Sequence, residues 1–380
     1  MKKRLVCIGL ALALLAGLSL TAAAEDLELP APSCILMEKQ TGQVLYESNA
    51  HEKLRPASVT KVMTLLLVAE AVESGAVSPD DPVTASRRAA SMGGSQIWLE
   101  EGEVMTVAEM TKCVAVVSAN DCAVALAEAL CGSEEAFVAR MNRRAEELGL
   151  SDTHFTNCTG LFEDAEHYTC AYDIAVMSRE LLKHEFVRQY TTLWQDTIRS
   201  GEFGLTNTNK LVRHYNGCTG LKTGFTSTAM YCLAASAERG GVEYIAVILH
   251  GETSQLRFDA ARTLLDYAFA NYTLVMPETG APDVPVSLGK AASVRAVCES
   301  SGTVLIEKAR QKELSAVYEL PEKVDAPVAA GQLLGTLRYI AGNETIASVP
   351  ISAAESVERV GAGELWVRLA AALCGRTNTQ

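Results

Sequence analysis

Ser58 and Lys61 stand three residues apart in an apolar stretch of the chain. On a helix, positions i and i+3 share a face, so the Lys61 amine can reach the Ser58 hydroxyl. A serine hydroxyl is a weak nucleophile and needs a base beside it. Lysine can be that base once burial or a neighbouring positive charge lowers its pKa. Met63, Leu65, Leu66 and Leu67 supply apolar surroundings. A helix N-terminus would favour an oxyanion forming nearby. The chemistry on offer is acyl transfer through a serine ester.

The pair means little alone, because Ser287 and Lys290 repeat the spacing. That copy has Gly289 inside it and lies in a β-rich segment, so no helix brings its side chains together. Two further groups follow Ser58 in order. Ser118 and Asn120 flank Ala119 at a break between helical runs. There a hydroxyl could relay a proton, and an amide could hold a substrate carbonyl and the lysine. The plain alternative is a helix cap. Lys222-Thr223-Gly224 precedes a strand around Tyr231. The lysine and threonine could bind a carboxylate, and the glycine would let a substrate backbone approach. The plain alternative is a basic turn.

Together, Ser-x-x-Lys, Ser-x-Asn and Lys-Thr-Gly in this order form the signature of penicillin-binding proteins and β-lactamases. The chain resembles the D-alanyl-D-alanine carboxypeptidases, the low-molecular-weight penicillin-binding proteins of the S11 peptidase type. Residues 55–61, 117–123, 220–226 and 167–173 carry the resemblance, which covers most of the chain. It implies that Ser58 attacks the carbonyl between two terminal D-alanines and Lys61 takes its proton. It implies that Ser118 and Lys222 return a proton to the leaving D-alanine and Asn120 orients the peptide. The oxyanion would meet the Ser58 and Phe225 amides, and Thr223, Thr226 and Arg257 would hold the terminal carboxylate. Where many members have His-Gly-Leu, this chain has Thr159-Gly160-Leu161, which we treat as neutral for the chemistry. Phe225 stands where some relatives carry histidine. The implied substrate is the peptidoglycan stem pentapeptide, with β-lactams as covalent inhibitors and no cofactor or metal.

Several elements must position these residues. Residues 35–48 alternate around Thr41-Gly42 and read as a hairpin. Residues 57–72 read as a buried helix begun by Pro56. Residues 107–130 read as one or two helices broken at 118–121, residues 134–148 as an amphipathic helix, 151–167 as a loop and 171–184 as a helix. Residues 231–237 and 242–249 read as paired strands, and 256–272 as a helix. The pattern is α+β: a serine β-lactamase/transpeptidase-like catalytic domain, an antiparallel sheet flanked by helices, at residues 25–275. Pro277, Gly280, Pro282 and Pro285 mark a linker. Short runs up to 352 then form a small all-β domain, and residues 353–380 are a tail. There are no internal repeats.

Residues 1–24 have the layout of a secretory signal: Lys2, Lys3 and Arg4, an apolar run, then small residues up to Ala24. The expected location is exported, at the cell wall or the outer face of the cytoplasmic membrane. The net charge of −13 argues against nucleic-acid binding. The 11 cysteines are scattered without metal-ligand spacing and read as small buried hydrophobes. The six histidines form no metal pair and read as surface or loop residues. Leu365, Trp366, Leu369 and Leu373 recur at helical spacing, with Arg368 and Arg376 nearby. That stretch could make peripheral membrane contact or simply dock as a tail.

Two other functions compete. A β-lactamase would need a deacylating glutamate between the second and third motifs, where Glu163 and Glu166 lie. A silent cell-wall-binding module would keep the fold without needing Ser58, Lys61 and Lys222 together.

Overall fold

The computed structural model describes residues 27, 29, 31–162, 164–276, 280–298 and 303–373. The signal-like segment at 1–24 and Glu163 lie outside these residues. The expected hairpin is present as β1 (Ser33–Glu38) and β2 (Val44–Ser48). Gly42 in its turn has φ +74°, which glycine adopts without steric cost. Three strands from the far end of this region complete the sheet: β3 (Cys218–Thr226), β4 (Met230–Arg239) and β5 (Val242–Gly251). The order is β2-β1-β5-β4-β3, and every neighbouring pair is antiparallel. β5 is buried almost throughout, which explains its continuous apolar run.

Among the described residues, seven helices of ten residues or more accompany the strands. α1 (Lys61–Glu73) is buried from Lys61 through Ala69, so it shows no amphipathic stripe. α2 (Val107–Val116) starts with a capping box, in which Thr106 and Glu109 each accept the other's backbone N–H at 3.1 Å. α3 (Asn120–Cys131) stops at Gly132, left-handed at φ +82°. α4 (Glu134–Glu147) buries Phe137, Met141 and Ala145 on one face. α5 (Ala171–Leu181) and α6 (Ser254–Asn271) pack on the sheet. One apolar core runs from Ile35 in the sheet through Leu66, Val114, Leu126 and Phe137 to Val247. Cys34, Cys113, Cys122, Cys158, Cys170 and Cys232 are buried free thiols.

The C-terminal region is built from strands around its own core of Val284, Val294, Leu337, Tyr339 and Ile351. Its four-stranded sheet runs Ala296–Cys298, Glu344–Ala353, Leu333–Ala341, Leu314–Glu319. Strand Tyr272–Val275 continues directly from α6 and pairs with Val304–Glu307. The final helix α7 is Ala362–Leu373.

The structure differs from the sequence reading at three places that matter. Residues Ala57–Thr60 form a 3₁₀ turn rather than the first turn of α1, with Ala57 at φ +48°. Lys222 lies within β3, not ahead of a strand; Gly220 and Gly224 weaken the strand signal there. A hairpin of Gln195–Ile198 and Phe203–Thr206 was not foreseen. The rejected copy is indeed open: Ser287 ends the strand Val284–Ser287, and Lys290 pairs with Glu358 at 2.6 Å.

Candidate active site

The 3₁₀ turn places Ser58 and Lys61 one full turn apart, where i and i+3 side chains eclipse. Lys61 Nζ is 3.0 Å from Ser58 Oγ. Its other contacts are Asn120 Oδ1 at 2.6 Å and the Thr159 carbonyl at 2.8 Å. Lys61 is fully buried, and burial lowers its pKa to about 7 against weaker upward pulls from Cys158 and Asp121.

The second motif is not a helix cap. Ser118 sits at φ +66° and Ala119 precedes α3 without a side-chain cap. The Asn120 amide is spanned: Oδ1 accepts from Lys61, and Nδ2 donates to the Gly93 carbonyl at 2.7 Å. That network fixes the amide orientation. Ser118 is buried, and its Oγ has no hydrogen-bond partner among the described residues.

The third motif lies on the sheet's edge strand, alongside the nucleophile turn. A Cβ on Gly224 would stand 2.6 Å from the Pro56 oxygen and 3.1 Å from the Ser58 nitrogen. The backbone this glycine admits is therefore the protein's own nucleophile segment, where the sequence suggested a substrate. Lys222 is fully buried, and burial, then Lys61 and Arg257, push its pKa well down. Thr223 Oγ1 donates to Thr208 Oγ1 at 2.7 Å, and Thr226 Oγ1 accepts from the Ala229 amide at 3.0 Å. Phe225 is exposed and stacks on Tyr231, with ring centroids 4.4 Å apart.

Arg257 is buried against this strand. Its Nη1 donates to the Gly224 carbonyl at 2.7 Å and the Cys232 carbonyl at 3.0 Å. It braces the backbone, where the family resemblance had it holding a carboxylate. Burial lowers its pKa to about 10, which leaves it cationic.

Sequence reasoning missed the role of the loop at 157–167. Thr159 reaches Lys61 through its carbonyl, which any residue supplies; this explains why its side chain is free to differ from histidine. Gly160, at φ +70°, lies so close to the nucleophile turn that a Cβ would meet the Ala57 oxygen at 1.8 Å. His167 is a loop histidine, as one of the two expected readings had it, and it is buried. Thr156 N–H donates to its Nδ1 at 3.1 Å, so Nδ1 is unprotonated and the proton is on Nε2. Nε2 lies 2.8 Å from Thr60 Oγ1, which in turn donates to the Ala57 carbonyl at 2.8 Å. Burial holds the His167 pKa down at about 4.

Glu166 is exposed on this loop. Of groups that could ligate a metal, His51, Asp152 and Cys170 bring their atoms within 4.8 Å of one another among the described residues. Asp152 there already pairs with His51 at 3.3 Å and Lys53 at 3.7 Å.

An antiparallel sheet with a half-buried serine beside a buried lysine at its edge, faced by a Ser-x-Asn turn, defines a serine acyl-transferase of the penicillin-binding class. The chain belongs to the D-alanyl-D-alanine carboxypeptidase family, peptidase S11, which it matches over residues 20–253. Residues 269–359 match the C-terminal domain of penicillin-binding protein 5. The chain is 41% identical over 343 residues to the D-alanyl-D-alanine carboxypeptidase DacF of Bacillus subtilis, covering 88% of each chain. The solved structure of penicillin-binding protein 5 from Haemophilus influenzae superposes with TM-score 0.82 at 30% identity, over 87% of this chain and 98% of that one. Penicillin-binding protein D2 of Listeria monocytogenes, solved with ampicillin bound, gives TM-score 0.59 at 31% identity over 64% and 99%.

Proposed function

We propose that this enzyme removes the terminal D-alanine from peptidoglycan stem pentapeptides through an ester on Ser58. One observation carries the assignment of the base. Two of the three Lys61 contacts, Asn120 Oδ1 and the Thr159 carbonyl, can only accept. A neutral amine has two N–H groups and one lone pair. With both N–H groups donated to those carbonyls, the lone pair is left for the Ser58 hydroxyl at 3.0 Å.

The Ser58 oxygen then attacks the carbonyl of the penultimate D-alanine while its proton passes to Lys61. The oxyanion gathers the Ser58 and Phe225 amides. Collapse breaks the C–N bond, and the leaving amine takes a proton relayed by Ser118 and Lys222. Water hydrolyses the ester, giving tetrapeptide and free D-alanine. Asn120 Nδ2 keeps a second hydrogen for the peptide carbonyl. The strand edge of Lys222, Thr223 and Thr226, with the cationic Arg257 behind it, suits the substrate carboxylate. The same geometry fits a β-lactam as covalent inhibitor, as in the ampicillin-bound relative.

Mass spectrometry of muropeptides before and after incubation tests this. Pentapeptides should lose one D-alanine, and Ser58→Ala should lose none. Labelled penicillin should leave a long-lived adduct on Ser58; rapid turnover without an adduct would favour the β-lactamase reading.

Family membership puts the enzyme at the cell envelope. Export through residues 1–24 fits the sequence there. Among the described residues, no helix is long and apolar enough to cross a membrane. The exposed Trp366, Val367, Leu369 and Leu373 of α7 support peripheral contact with the membrane surface. Co-sedimentation with anionic vesicles should be lost when residues 361–380 are removed.

A further inference from the structure

Trp98 is 64% exposed, yet the chain holds it in place at a backbone angle, φ +55°, that a bulky residue rarely adopts. Strain of this kind persists only where neighbours enforce it. They do so from both sides. Asp121 Oδ2 accepts the amides of Ile97 at 3.0 Å and Leu99 at 3.1 Å, the residues flanking Trp98. Arg199 donates to the Ile97 carbonyl at 2.9 Å and to the Trp98 carbonyl at 3.4 Å. Phe203 meets the indole edge-on at 5.8 Å. With the Gln96 amide oriented so that both its ends are satisfied, Gln96 accepts from the indole N–H at 3.2 Å. The polar edge of the ring is thus held within the protein, while much of the ring surface remains exposed.

The platform is tied to the catalytic machinery. Asp121 directly follows Asn120, whose backbone N–H donates to the Ser95 carbonyl at 2.7 Å. Beside the indole lies a recess of about 600 Å³ lined by Trp98, Glu100, Glu101, Gly102, Glu103 and Arg199. Its lining is one aromatic face ringed by carboxylates and a guanidinium. An apolar partner would bury those charges at a cost. A polyanion would meet three glutamates. Arg199 is already paired with Glu103 at 2.8 Å, which leaves Glu100 and Glu101 as the acceptors beside the indole. A pyranose ring fits both parts: its C–H face stacks on the indole, and its hydroxyls donate to those two carboxylates.

We infer that this recess is a glycan subsite, in which Trp98 takes an N-acetylhexosamine of the strand that carries the stem peptide. The inference rests on the carboxypeptidase reading and adds a second point of attachment for the same substrate. Binding there lowers KM for sugar-linked peptides and leaves the chemical step alone.

The test compares a disaccharide pentapeptide with the free pentapeptide. The unsubstituted enzyme should show the lower KM for the disaccharide form. Trp98→Ala should raise that KM by about fivefold or more, to the value for free pentapeptide, with kcat and the free-peptide kinetics unchanged. A β-1,4-linked N-acetylglucosamine tetramer should compete against the disaccharide substrate and not against the free peptide, an arm that needs no variant. Equal KM for the two substrates, an equal rise for both on Trp98→Ala (as for a site reading the peptide's diamino acid), or no competition by the tetramer would overturn the subsite. If neither substrate releases D-alanine, the carboxypeptidase reading fails instead.

Discussion

The backbone of Gly224 passes so close to Pro56 that a Cβ on the glycine would stand 2.6 Å from the Pro56 oxygen. Contact between β3 and the nucleophile turn therefore depends on a residue with no side chain. Gly224→Ala should push the strand off the turn and misplace the Ser58 and Phe225 amides. A displacement near 1 Å at such a site costs about 100-fold. Acylation by a fluorescent penicillin should slow by roughly that factor while the circular dichroism spectrum is retained. Wild-type acylation would sink the claim.

The lowered pKa of Lys61 sets the pH dependence. Below about 7 the amine is protonated and has no lone pair for Ser58. Above that it is the free base. The Ser58 acylation rate should rise with pH to a plateau, with a midpoint near 7. A profile flat from pH 5.5 to 9 would show that another group takes the proton.

His167 makes a separate prediction about stability. Its folded pKa of about 4 lies below its ordinary value of 6.5. Between those values the unfolded chain binds the extra proton, so stability falls as pH drops through that window. The effect can reach roughly 3 kcal/mol. His167→Gln keeps a donor toward Thr60 but cannot protonate. Urea midpoints at pH 7 and pH 4.5 should therefore differ less in the variant than in the unsubstituted enzyme. Equal midpoint differences would mean that His167 does not contribute.

Lys290 serves as the negative control. It shares the spacing of the Ser58–Lys61 pair but sits on the surface against Glu358. Lys290→Ala should leave both acylation and D-alanine release unchanged.

Local pattern determined much of this protein. The three motifs, the hairpin around Gly42 and the break before α3 depend on residue types and short spacings, and each could be read from the chain directly. Tertiary contact decided the rest. Gly224 admits Pro56 and Ser58 rather than substrate, because a segment far along the sequence becomes the edge strand beside them. Arg257 ends on the Gly224 and Cys232 carbonyls because α6 packs on β4 and β5, beside that strand. Thr159 reaches Lys61 through a backbone carbonyl, which leaves no trace in residue type. His167 is buried because its loop folds over the nucleophile turn, and no local spacing announces that closure. The amino-acid sequence specified which groups could do the chemistry; only packing fixed which backbone groups hold them and how far the buried lysines are stripped of their protons.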